Sequence, residues 1–260
     1  MPDSAAALLA TRDLSVAVPG RELVTRLSLD LPAGRFVAVL GANGAGKSLT
    51  LHTLAGLRAP TTGSVTLDDR PLERIPRRET ARRLALLPQD SDDAFPATVM
   101  QTALCGRHPH VAPLSWESRR DREIARANLE RVDLGAHGQR DVATLSGGER
   151  RRLAIAQVLT QDPAVYLLDE PTNHLDPPHQ LRVLGLFREL VGRGALVVAS
   201  LHDVNLAARY ASDCLLLFGD GRWRYGPAAD VLDGDTLSAL YGTPMEALRW
   251  RDRTLYVAAG

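Results

Sequence analysis

Between Phe36 and Leu40 the chain runs through consecutive apolar residues and then into Gly41-Ala42-Asn43-Gly44-Ala45-Gly46-Lys47-Ser48, after which Leu49 to Leu57 has a helical pattern. Strand, glycine loop and helix follow one another. Upstream, apolar and polar positions alternate with period two over Leu14 to Val18 and Leu23 to Leu31, clearest where Leu27, Leu29 and Leu31 enclose Ser28 and Asp30. Pro19-Gly20 lies between them as a turn, so the two segments are predicted as antiparallel strands covering one edge of the core. Val65 to Leu67 and Leu84 to Leu87 read as further strands.

From Asp90 to about Asp162 the strand signals stop, and a polar, arginine-rich, helix-forming stretch extends from Trp116 to Val132. That change marks an inserted helical subdomain. Strand patterns resume at Ala164 to Leu168, at Ala195 to Leu201 and at Cys214 to Phe218, the first two each followed by a helical pattern. Near-continuous apolar strands alternating with helices predict an α/β fold: a mainly parallel sheet with helices on both faces, an antiparallel β edge subdomain and the inserted α-helical subdomain. A single domain is expected over residues 1–260, with 1–89 and 163–260 forming the core and 90–162 the helical part.

Composition excludes several classes. With 31 Lys+Arg against 31 Asp+Glu in 260 residues the formal net charge is zero, which argues against nucleic acid or an anionic surface as a partner held by bulk electrostatics. A 45% hydrophobic content suffices for a real core and argues against disorder. Apolar stretches such as Ala195 to Ala199 and Cys214 to Phe218 fall far short of the roughly 18 residues of a membrane helix. The amino-terminal Met-Pro-Asp-Ser lacks a basic segment, so no secretory signal is expected. Cys105 and Cys214 have neither metal-type spacing nor a disulfide framework, which fits a reducing compartment.

One count changes the picture more than these averages. Of the 31 basic residues a single one, Lys47, is lysine, and it stands in the glycine loop. Arginine is a planar fork whereas lysine is a compact point charge on a flexible stem, which a close phosphate cradle accepts more readily. Gly41 to Ser48 satisfies G-x-x-x-x-G-K-[ST] in the strand-to-helix setting that the motif requires, a pattern expected by chance in such a composition roughly once per thousand chains. Its glycines let successive backbone N–H groups approach phosphate oxygens, and the helix N-terminus adds partial positive charge. Lys47 would bridge the β- and γ-phosphates, and the Ser48 hydroxyl would ligate Mg²⁺.

Two further segments complete the chemistry. The apolar strand Ala164 to Leu168 ends in Asp169 and Glu170, and adjacent strand residues point to opposite faces, so the two carboxylates have different tasks. Beside a phosphate loop, the first serves Mg²⁺ directly or through water, and the second accepts a proton from, or orients, an attacking water. Leu145-Ser146-Gly147-Gly148-Glu149 opens a helix running to about Gln161, with Ser146 as its N-cap. A Ser-Gly-Gly helix start is also an anion site, and two incomplete phosphate-facing helix starts in one chain suggest that the second serves a nucleotide held by another copy.

In these motifs the chain resembles the ATP-binding cassette ATPases. Gly41 to Ser48 resembles Walker A, Gln89 in Leu87-Pro88-Gln89 the Q-loop, and Leu145 to Glu149 the LSGGQ signature. Val165 to Glu170 resembles Walker B with its glutamate, Asn173-His174-Leu175-Asp176 the D-loop, and His202 the switch histidine. The match spans nearly the whole chain in order. The resemblance implies ATP and Mg²⁺ as ligands. It gives ATP contacts to Gly41, Ala42, Asn43, Gly44, Ala45, Gly46, Lys47, Ser48 and Leu49, and metal contacts, partly through water, to Ser48, Gln89 and Asp169. Glu170, His202 and Gln89 become catalytic. Ser146, Gly147, Gly148, Glu149 and Asp176 reach the ATP of a second copy in a head-to-tail homodimer, whose closure is a population shift driven by nucleotide. The family usually stacks adenine on an aromatic residue in the first strand; Val18 stands there, so base stacking is weaker.

Asp230-Val231-Leu232 and Leu237 to Gly242 resemble importer ATPases. Phe95-Pro96-Ala97-Thr98-Val99, Gly106-Arg107-His108-Pro109-His110 and Tyr241-Gly242 resemble the type II branch that imports haem, ferric siderophores and cobalamin, with haem favoured. That resemblance implies an integral-membrane permease in two copies as partner, an external substrate-binding protein, and a peripheral place on the cytoplasmic face of the bacterial inner membrane. His108-Pro109-His110 is expected to lie where the cassette meets its permease rather than to bind metal. Arg150-Arg151-Arg152 reads as a solvated or phosphate-facing helix start, and Trp223 and Trp250 as packing residues. The competing readings are a translation-factor-like cassette regulator, which resembles two cassettes in one chain, and a P-loop kinase or GTPase, for which the Leu145 to Glu149 segment has no use.

Overall fold

The computed structural model describes residues 7–89 and 96–259. In chain order its strands are β1 (Ala7–Val18), β2 (Arg21–Pro32), β3 (Phe36–Leu40), β4 (Thr62–Leu67), β5 (Arg70–Pro71), β6 (Leu84–Leu87), β7 (Val165–Leu168), β8 (Leu196–Ser200), β9 (Asp213–Leu217), β10 (Trp223–Pro227), β11 (Met245–Trp250) and β12 (Arg253–Ala258). The α-helices are α1 (Lys47–Leu54), α2 (Arg77–Arg83), α3 (Val99–Leu104), α4 (Arg119–Arg131), α5 (Gly147–Gln161), α6 (Pro177–Gly192), α7 (Val204–Tyr210), α8 (Ala228–Val231) and α9 (Gly234–Tyr241).

The central sheet has the order β10-β9-β3-β8-β7-β6. Every pairing in it is parallel except β10 on β9. All five residues of β3 are buried, and they alternate between two cores as the pleat requires. Phe36, Ala38 and Leu40 join Tyr166, Val197, Ile155 of α5 and Phe187 of α6. Val37 and Val39 join Leu51 and Leu54 of α1, together with Leu9, Leu27 and Leu31 from the second sheet. That second sheet is antiparallel, in the order β2-β1-β4-β5. The layers are therefore an antiparallel sheet and α1 on one face and the larger helices on the other: helices lie on both faces, as the apolar pattern predicted, but the antiparallel strands cover a face of the core rather than an edge, because their buried side chains pack on Val37 and Val39.

Between β6 and β7 the chain builds α3, α4 and α5, whose Leu104, Leu129 and Ile155 belong to the first core. The helix α4 starts later than the composition suggests: Ser118 accepts from the Asp121 N–H while Asp121 caps back, and Trp116, 89% exposed, stands before the cap. A capping box stops the helix where propensity alone would have let it run on.

Strands β1 and β2 are each 12 residues long, well beyond the segments whose alternation is visible. Their register shifts around Thr11, Leu14 and Val16, where Asp13 and Arg26 adopt left-handed φ values of 46° and 52°. Each such bulge resets the in–out phase, so a strict period-two reading loses the strand on one side of it. The edge strand β10 and the hairpin β11–β12 escape the pattern for another reason: β11 is almost wholly exposed and has no buried face to impose alternation.

Phe187 is fully buried and meets Tyr166 edge-on at 5.7 Å between ring centroids. Phe187→Ala is expected to lower the unfolding free energy by about 3–5 kcal/mol, read as a shift in urea midpoint at unchanged slope.

Candidate active site

The loop between β3 and α1 is squeezed on two sides. A Cβ at Gly41 would sit 2.4 Å from the Leu217 carbonyl oxygen at the end of β9, and one at Gly46, where φ is 99°, would sit 3.0 Å from the Leu23 Cβ. Only glycine meets both demands. No side chain caps α1, so its first N–H groups face the cleft as donors for an anion. Lys47 is 5% exposed, and its Nζ donates to the Gly41 carbonyl at 2.9 Å and the Ala42 carbonyl at 3.2 Å. Burial pushes the ammonium below its usual range, and Glu170 and Asp169 oppose that by favouring the charge.

The two acids stand just past the end of β7. Asp169 is 1% exposed; the Ser200 hydroxyl donates to its Oδ1 at 2.7 Å and accepts from the Glu170 N–H at 2.8 Å. Glu170 has a left-handed φ of 49°, a strained conformation for glutamate that needs outside support. Its Oε1 lies 2.5 Å from His202 Nε2, and Asn173 Nδ2 donates to Oε2. The carboxylates thus face different partners, as adjacency at a strand end implied. Ser200 was invisible to motif reading, although a lone hydroxyl closing the apolar run Leu196 to Ala199 was a usable signal.

Ser146 caps α5 by accepting from the Glu149 N–H, and the Glu149 carboxylate accepts from the Ser146 N–H at 2.8 Å. Arg140 Nη1 donates to the other carboxylate oxygen at 2.7 Å. The Ser146 backbone, its hydroxyl and Arg140 hold the Glu149 carboxyl at about 2. Ser146 and Gly147 are exposed. Asp176, also exposed, caps α6 by accepting from the His179 N–H at 3.2 Å.

A cleft of about 520 Å³ unites Asn43, Gly44, Gly46, Lys47, Ser48 and Leu49 with Gln89, Glu170 and His202, and Val18 forms part of its wall. Residues 146–149 and Asp176 do not line it. The structure also corrects the reading of the arginine run: Arg150 is exposed, but Arg151 is buried among backbone carbonyls, and Arg152 donates to the Val132 carbonyl at 2.9 Å. Trp223 packs, donating to the Thr25 carbonyl. Trp250 does not: it is 53% exposed beneath the Arg251 guanidinium. His110 contacts the Gln161 carbonyl at 2.9 Å, and among the described residues no group of three or more His, Cys, Asp or Glu side chains is placed to hold a metal ion. Phe95 lies outside the described residues.

A glycine loop, a buried lysine and paired acids at the carboxyl end of a parallel strand define a P-loop nucleoside triphosphatase with a cassette architecture. The ABC transporter family model matches residues 24–173, and the chain belongs to that family: it is an ABC-type ATPase that binds ATP. It is 43% identical to the hemin import ATP-binding protein HmuV of Gloeobacter violaceus over 83% of this chain and 80% of that one. It is also 36% identical to the petrobactin import ATP-binding protein FpuD of Bacillus anthracis, covering 86% and 83%. Among solved structures, a chain described as from a metal-chelate type ABC transporter in an inward-facing conformation aligns with TM-score 0.84 at 27% identity, covering 97% and 98%.

Two outcomes follow from this geometry. Ser200→Ala leaves Asp169 Oδ1 and the Glu170 N–H without their buried partner, so stability should drop by about 1–3 kcal/mol and turnover should fall more than ATP affinity. Denaturant melts and steady-state ATPase assays check both. The Glu149 cap is present above the ordinary carboxyl value of 4.5 and is lost as the pH falls through about 2. In acid titrations followed by circular dichroism, Glu149→Gln should remove that component of the loss.

Proposed function

We propose that this chain powers import of haem, or of a similar iron or corrin chelate, as the ATP-hydrolysing subunit of a membrane permease. The observation that carries the dimeric part of this reading is that residues 146–149 lie outside the cleft that holds Lys47 and Glu170. An exposed, capped Ser-Gly-Gly helix start outside its own site has an open anion-binding end, and a second copy placed head to tail supplies the nucleotide. ATP then closes the dimer, because it is gripped by Lys47 and the glycine loop on one side and by Ser146 to Glu149 on the other. Arg140 offsets the Glu149 charge that would otherwise repel phosphate. Asp176, at the start of α6, would join the two sites.

The residues present fit a divalent cation. Asp169 Oδ2 is buried without a hydrogen-bond partner among the described residues, next in the chain to Glu170, which lines the cleft together with Ser48 and Gln89. Ser48, Asp169 and Gln89 would hold Mg²⁺, partly through water, and the ion would neutralise charge on the β- and γ-phosphates. Glu170 orients the attacking water, its carboxylate held by Asn173, and His202 stands beside it to meet the γ-phosphate.

The names of the similar proteins support an importer of haem or a chelate, and haem leads because several of them are hemin import proteins. Among the described residues no helix is long and apolar enough to cross a membrane. As for an import ATP-binding subunit, the proposed setting is peripheral, on the cytoplasmic face of the bacterial inner membrane, against a two-copy permease served by an external binding protein. The segment His108-Pro109-His110 is where the cassette would meet the permease.

Glu170→Gln should keep ATP binding, lose at least about 100-fold in turnover, and accumulate an ATP-dependent dimer in size-exclusion chromatography. Lys47→Ala should weaken ATP binding by at least about tenfold. Unimpaired hydrolysis in the first variant would remove Glu170 from the mechanism. For cargo, ATPase stimulation in the reconstituted permease complex should be greatest with haem; stimulation by a ferric siderophore or cobalamin instead would reassign the substrate.

A further inference from the structure

Arg151 has no part in the chemistry just described, yet it touches both of the loops that carry it. It follows the Ser146 cap by five residues on α5, which places it about 7.5 Å along the axis and about 140° around the helix from the cap. The cap end is exposed, whereas Arg151 is 5% exposed. Its guanidinium spans two strand ends. Nη1 donates to the carbonyl oxygens of Pro88 at 2.7 Å and Gln89 at 3.0 Å. Nη2 donates to the carbonyls of Asp169 and, at 2.8 Å, Glu170.

Pro88 and Gln89 follow β6, Asp169 and Glu170 follow β7, and β6 and β7 are paired neighbours. One planar group therefore sets the spacing between the loop bearing Gln89 and the loop bearing the catalytic carboxylates. Because it grips main-chain oxygens, it acts on the peptide planes from which those side chains hang. The Glu170 peptide is also the one held at a left-handed φ of 49°. Charge-assisted bonds to four carbonyls in a buried setting are strong and directional, and the guanidinium fork cannot bend to let one strand end move without the other.

We propose that Arg151 is a positioning residue that couples the nucleotide gripped by the N-terminus of its own helix, in the neighbouring copy, to the placement of Gln89 and Glu170 in its own cleft. This role rests on the head-to-tail reading above. When the cap end of α5 takes hold of a phosphate in the second copy, any displacement of the helix passes through the fork to both strand ends. Each site then reaches its hydrolytic geometry only when the other is filled, a coupling between two identical sites.

The test uses the full chain with Arg151→Lys and Arg151→Gln. Lysine keeps the charge as a point donor that cannot span four carbonyls; glutamine keeps a planar donor without charge. The wild type should show a Hill coefficient for ATP hydrolysis of about 1.5 or more, and both variants should fall to about 1 with turnover reduced about tenfold. ATP affinity and ATP-dependent dimerisation, measured with Glu170→Gln also present, should stay within about twofold of the single Glu170→Gln protein. A scaffold role alone would not flatten cooperativity while sparing affinity and pairing. The proposal is overturned by a non-cooperative wild type, by variants that keep wild-type cooperativity and turnover, by loss of ATP affinity, or by failure of both variants to fold. Should Glu170→Gln alone fail to dimerise with ATP, the head-to-tail reading itself falls, whereas a failure confined to the Arg151 variants removes only this role.

Discussion

Lys47 carries an ammonium into a place where burial works against its charge, and the carbonyls of Gly41 and Ala42 together with the fields of Asp169 and Glu170 hold it there. Neither side of that arrangement is stable alone, since an unpaired buried charge costs several kcal/mol. The carbonyls that accept from Lys47 belong to the loop that a nucleotide would occupy, so the cation is parked on its own backbone in a position from which phosphate oxygens can recruit it. The squeeze on Gly41 and Gly46 by β9 and β2 fixes that loop, which is how two separate sheets come to support one cation.

The acids depend on the same economy of shared partners. A single hydroxyl, Ser200, serves the Asp169 carboxylate and the Glu170 backbone together, and His202 and Asn173 take the two oxygens of Glu170. Among the described residues the buried carboxylate oxygen left without a hydrogen bond is Asp169 Oδ2. That difference supports the proposed division of the two carboxylates into an ion ligand and a water-orienting group. The arginine-rich composition contributes to the same end: one guanidinium neutralises Glu149 at the cap of α5, and another, inside the protein, straps the two loops that flank the cleft.

Short continuous apolar runs were enough to recognise the parallel strands, because buried β3, β6, β7, β8 and β9 carry apolar residues on both faces. Patterning was not enough for β1 and β2, where bulges at Asp13 and Arg26 reset the phase, or for the hairpin β11–β12, where β11 is almost wholly exposed and Tyr256 is the one buried residue of β12. Charged residues were misjudged for a related reason. Three successive arginines look alike in sequence, and helical rotation by about 100° per residue sends one of them inward.

The sequence by itself determined the nucleotide chemistry of this protein, because a glycine-lysine loop and paired acids at strand ends are local patterns whose spacing is set by backbone geometry. It also determined the order of the motifs and the alternation that makes the sheet parallel. Tertiary structure alone decided who supports whom. That Ser200 bridges the acids and that Arg151 spans β6 and β7 follow from strand order β3-β8-β7-β6, and that residues 146–149 stand outside their own cleft follows from where the helices between β6 and β7 pack. Such contacts join residues tens of positions apart, and no local period records which strand ends will become neighbours.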